Sequence, residues 1–91
     1  PEYREFLDPA VDHLANALRE LECDYPESNV EGNINYAISK LMDSMYRNGG
    51  YRGINDAVGV LECVKLEFYR RLAAPYEDHK AKVNGDVYGK N

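Results

Sequence analysis

Apolar side chains return at three- and four-residue intervals in three stretches, and the longest lies between Gly53 and Pro75. There Ile54, Ala57, Val58, Leu61, Val64, Phe68 and Leu72 share one side, which predicts an amphipathic helix over residues 54–74. Val30, Ile34, Ala37, Ile38, Leu41, Met42 and Met45 predict a second over residues 30–46. A narrower stripe of Val11, Leu14, Leu18 and Leu21 predicts a first over residues 9–22. Between stripes the polar residues are charged or turn-forming, and no stretch alternates with a two-residue period.

The ends of these helices follow from local chemistry. Asp8 can cap free amides and Pro9 suits a first helical position, so residues 1–7 read as a separate turn that packs Tyr3 and Phe6. Ser28 followed by Glu31 resembles a capping box at the second helix, after a loop marked by Pro26 and Asn29. Gly32 weakens that first turn by about 1 kcal/mol relative to alanine. Arg47, Asn48, Gly49 and Gly50 stop the second helix, and Tyr51, Arg52 and Gly53 read as a flexible connection. Pro75 ends the third helix and starts a short fourth at an angle, over residues 75–83, with a tail at 84–91. Within that tail Asp86, Val87 and Tyr88 are expected to dock back, and Gly89 to Asn91 to be loose.

The expectation is an all-α fold: one domain, a small bundle of three main helices plus a short C-terminal helix. With 91 residues, such a chain buries only about 60–70% of its unfolded surface. The third helix carries apolar residues over about half its circumference, where about 100° suffices for a monomer. Burial on two sides, and so a homo-oligomer, is expected.

Composition narrows the choice of partners. The formal charge of −5 argues against general nucleic-acid binding, which relies on excess lysine and arginine. No apolar run is long enough to span a membrane and no signal-peptide pattern opens the chain; Pro1 reads as following a trimmed initiator methionine. A cytoplasmic protein is expected. Cys23, Cys63, His13 and His79 lack metal-ligand spacing, so neither metal nor cofactor is expected. The eight tyrosines suit interfaces and aromatic-ligand pockets, each having a flat apolar ring and a polar tip.

Candidate chemistry gathers on the second and third helices. At about 100° per residue, Asn55, Glu62 and Tyr69 form a row and Lys65 falls inside the apolar arc. Two readings stand: a surface pair of Glu62 with Lys65, or a polar seam facing a ligand or another subunit. Asn35 and Tyr46 edge the second helix, with Ser39 adjacent. Arg70 and Arg71 are the densest basic site, to which Arg47 and Arg52 could add; guanidinium forks suit phosphate, and Tyr76 could stack on a ring. The alternative is that Glu67 pairs with Arg71 one turn on. Arg52 beside the glycines could form an anion-accepting rim, or the loop could be only a connector. No phosphate loop, nucleophile elbow or paired metal histidines appear, and no enzyme is expected.

The stretch Gly32-Asn33-Ile34-Asn35-Tyr36-Ala37-Ile38-Ser39 resembles one in a family of small uncharacterised phage and bacterial proteins. The similarity is denser over residues 59–71 and from Ala74 through Tyr76 and Asp78 to Tyr88. The resemblance covers about the last two-thirds of the chain and implies a phage or prophage accessory protein. By analogy of size and setting, such a protein would counter host defence by sequestering a nucleotide-derived anionic signal, or would bind a host or virion protein. The ligand-binding set expected on either account is Asn35, Tyr36, Arg52, Asn55, Glu62, Lys65, Tyr69, Arg70, Arg71 and Tyr76.

Overall fold

The computed structural model describes residues 2–85, so the expected docking of Asp86, Val87 and Tyr88 and the loose Gly89–Asn91 end lie outside the described residues. All regular structure among the described residues is helical. The chain divides into two compact units, Pro1–Met45 and Tyr46–Asn91.

The first unit is a helical hairpin of α1 (Glu2–Asp24) and α2 (Val30–Tyr46). α1 begins well before Pro9, which lies inside it. Proline removes one amide donor, but the carbonyl left without a partner can turn to water on an exposed helix. Glu2 and Glu5 in the first turn meet the positive end of the helix dipole, so the upstream turns continue the helix. Tyr3 and Phe6 do not pack as expected; Phe6 is 84% exposed.

The connecting loop closes with Tyr25 N–H donating to the Leu21 carbonyl at 2.9 Å and Ser28 N–H to the Tyr25 carbonyl at 2.9 Å. The cap of α2 is Asn29, not Ser28: its Oδ1 accepts from Gly32 N–H. Ser28 instead accepts from the Asn33 side chain at 3.1 Å, which ties the loop to the helix it precedes. Ala15, Leu18 and Leu21 of α1 and Val30, Asn33 and Ala37 of α2 are half-buried and form the seam of the hairpin. Most of the other apolar residues of this unit, including Val11, Leu14, Ile38, Leu41 and Met45, remain exposed.

In the second unit a 3₁₀ turn (Arg47–Gly49) leads into α3 (Gly50–Phe68). Gly50 has φ +65°, a conformation that favours glycine. Tyr51, Arg52 and Gly53 are part of α3 rather than a flexible connection. Gly53 is buried against the end of α2, where an added Cβ would lie 3.0 Å from the Tyr46 carbonyl oxygen.

A π-turn (Tyr69–Ala73) follows α3, and α4 (Ala74–Asn84) follows the π-turn without a break. Ala74 N–H donates to the Tyr69 carbonyl, five residues back, with helical φ and ψ of −64° and −46°. Pro75 supplies the reason. It has no N–H to give and its ring crowds the carbonyl four residues before it, so the helix widens by one residue instead of stopping. The expected start of a separate fourth helix at Pro75 is therefore replaced by a continuous helical path. α4 ends at Gly85, φ +89°, whose N–H donates to the Ala81 carbonyl at 2.8 Å.

Candidate functional site

The ten residues singled out from the sequence fall in both units. Asn35 and Tyr36 lie on α2 in the first unit; the other eight lie in the second. Asn35 Oδ1 accepts a hydrogen bond from the Ser39 hydroxyl one turn on, at 3.3 Å. Tyr36 lines a groove of the hairpin with Leu14, Ala17, Leu21 and Lys40.

Along α3, Arg52 and Asn55 are exposed near its start. Asn55 and Tyr69 are separated by about 21 Å of helix, at about 1.5 Å rise per residue. The expected row is thus a line along a surface and not a cluster. Glu62 and Lys65 meet at 3.4 Å, with both side chains more than half exposed. That is the surface pair, one turn apart, worth about 0.2–1 kcal/mol at most.

The π-turn gathers more. Glu67 accepts from Arg70 Nη2 at 2.8 Å and from Arg71 Nε, so one carboxylate holds both guanidiniums. Tyr69 O–H donates to Glu77 Oε1 at 2.7 Å. These two lie eight residues apart, a spacing that a regular α-helix turns about 80° apart. The extra residue in the π-turn brings them onto one side. The Tyr69 phenol is held above its ordinary value, first by the hydrogen bond to Glu77, then by the Glu77 charge, with smaller contributions from burial and Asp78. Tyr76 follows, 64% exposed.

Sequence reasoning missed two parts of this arrangement. Glu67 was legible as a partner for Arg71, but not as a shared partner for Arg70. Glu77 was not legible as a partner for Tyr69. The available signal was Pro75 inside a stretch that otherwise reads as helix.

The apolar side of α3 is the other feature of the site. Val58, Val64, Phe68 and Leu72 are 60%, 59%, 64% and 57% exposed. Among the described residues of its own unit, no second layer covers them. Val64, Phe68 and Leu72 line an open groove whose rim carries Cys63, Glu67 and Arg71. Among the described residues no three His, Cys, Asp or Glu side chains group as a metal site, and no helix is long and apolar enough to cross a membrane.

Fold and surface together define a small all-helical protein with an open apolar helix side and a carboxylate-bound basic cluster. The chain belongs to the family described as Domain of unknown function (DUF6899), whose model matches residues 1–87. This agrees with the resemblance to an uncharacterised family. No curated protein and no solved structure matches the chain.

Proposed function

We propose that this chain is a non-enzymatic interaction module that buries the apolar side of α3 against another protein surface. The exposure of Ile54, Val58, Val64, Phe68 and Leu72 carries this reading. These residues recur at core spacing, yet each is more than half open to solvent. A contiguous apolar stripe of that kind, rimmed by charged residues, marks an interaction surface. The polar groups around it favour contact with protein over capture of a free anion. Both guanidiniums of the basic cluster already meet Glu67, and Tyr69 already gives its proton to Glu77. In the setting that the resemblance suggests, a phage or prophage accessory protein in the host cytoplasm, the surface would take a host or virion protein or another copy of the chain.

Val64→Glu places a carboxylate in the middle of the stripe and tests the reading. Native mass spectrometry should show an assembly or a stoichiometric bound protein for the unaltered chain, and its loss in the variant. An unaltered chain that is bare and monomeric in host extract, with the variant indistinguishable from it, would overturn the reading.

A second reading keeps the anionic, nucleotide-like ligand. It rests on two guanidiniums sharing one carboxylate, which leaves a net positive charge on that cluster. An incoming phosphate would have to displace Glu67. Calorimetric titration with nucleotides, repeated on Arg70→Ala combined with Arg71→Ala, tests it. Heat lost in the double variant favours ligand capture, and no heat in either protein removes it.

A further inference from the structure

We infer that the surface taken by α3 is α3 of a second copy, docked antiparallel, with Leu61 opposite Val64 and Ala57 opposite Phe68. This rests on the reading of α3 as an interaction surface and names its occupant.

The rows on α3 have coiled-coil spacing. Ile54, Leu61 and Phe68 recur every seventh residue, and Ala57 and Val64 form the alternate row three residues on. Such rows fit a like helix, each side chain entering a gap between four on the other. Ile54, Val58, Val64, Phe68 and Leu72 are each more than half exposed. If full burial of a Val, Leu, Ile or Phe side chain removes about 60–120 Å² of apolar area, these five, about 60% exposed, contribute roughly 200–350 Å² per copy. A standard interface needs about 800 Å² per partner. The stripe therefore supplies the apolar centre of such an interface, and the residues that flank it on α3 supply the rest.

Side-chain volume sets the direction. The start of the stripe is small at Ala57, and its end is bulky at Phe68 and Leu72. A parallel pair would put Phe68 against Phe68 and Ala57 against Ala57, giving one overfilled and one underfilled layer. Interiors pack at nearly uniform density, so neither layer is favourable. The antiparallel pair meets bulky with small at both ends, and a two-fold axis between Leu61 and Val64 makes the two contacts identical.

Charge points the same way. Arg71 lies on the rim of the groove formed by Val64, Phe68 and Leu72. In a parallel pair the two Arg71 side chains share a layer and repel. In the antiparallel pair the two Arg71 side chains lie at opposite ends, each beside Ile54 of the other copy. An unrelated protein would give no reason for the two ends of one stripe to complement each other.

Disulfide trapping reads the register. Cys23 and Cys63, both exposed and free, are first changed to serine. Ala57→Cys and Phe68→Cys chains are then oxidised separately and after mixing, and run on non-reducing gels. The mixture should yield covalent dimers at least tenfold above either variant alone. Self-crosslinking of each variant at the level of the mixture would overturn the antiparallel register, and no crosslinking in the mixture would overturn the second copy. If Phe68→Cys loses its helical signal, Ile54→Cys mixed with Arg71→Cys applies the same test. Absent crosslinks, with a host protein still bound and lost in Val64→Glu, would sink this inference and leave the interaction reading standing. Absent crosslinks with no bound protein would sink both.

Discussion

Replacing Pro75 with alanine should remove the π-turn and stabilise the helical path from α3 into α4. The present widening lets Ala74 N–H reach the Tyr69 carbonyl because residue 75 has no N–H to offer. Alanine restores that donor and relieves the crowding. A proline in a helix interior costs about 3 kcal/mol relative to alanine. Here the π-turn has already removed the clash, and the exposed surroundings let water satisfy the orphan carbonyl, so most of that cost is absent. Proline also restricts the unfolded chain, worth about 0.4–1 kcal/mol in the other direction. The expected net gain is at most about 1 kcal/mol, a rise in Tm of up to about 4–8 °C by circular dichroism.

The same change carries an opposite signature at Tyr69. A regular helix turns Glu77 away, so the hydrogen bond of 2.7 Å should break and the raised phenol should fall back toward its ordinary value of 10.0. NMR titration of ring-labelled tyrosine would follow it. A Tm that does not rise, together with an unchanged Tyr69 titration, would refute the assignment of the π-turn to Pro75.

Four other outcomes are expected. Gly53→Ala should destabilise the protein by about 1–2 kcal/mol in urea unfolding although alanine is the better helix former, because its Cβ would press on a backbone carbonyl that cannot rotate away. Asn29→Ala should cost about 1 kcal/mol as a lost helix cap, and Ser28→Ala measurably less. Glu67→Gln should lower the melting temperature only slightly at low salt and not at all in about 1 M salt, since both of its ion pairs are exposed. For pH, the folded Tyr69 holds its proton more tightly than the unfolded one, so its contribution is complete below pH 10 and is lost as pH rises through the folded value. Tyr69→Phe should remove that alkaline component of a melting series.

Helical character was legible throughout, because the spacing of Val30 to Met45 and of Ile54 to Leu72 admits no strand. The helix ends were harder. Asp8 followed by Pro9 is a sound start signal, and the structure overrides it because the turn before it carries its own favourable acids. Ser28 and Asn29 can both cap, and sequence cannot tell which has the backbone geometry for it. At Pro75 the choice between stopping a helix and widening it depends on whether the next residues can continue, and Ala74 to Asn84 can. The candidate set suffered for the same reason. A helical wheel drawn through residues 69–73 assumes a regular turn, so it could not place Tyr69 beside Glu77. The wheel also marks Val58, Val64 and Phe68 as apolar without telling what covers them, and among the described residues of the second unit nothing does.

Sedimentation equilibrium of the unaltered chain beside Val64→Glu addresses the apolar side of α3 most directly. The expected result is a concentration-dependent mass of two or more copies for the unaltered chain, and a single copy for the variant. A single copy in both proteins at every concentration, with no protein bound from host extract, would contradict the claim that this side is made to be covered.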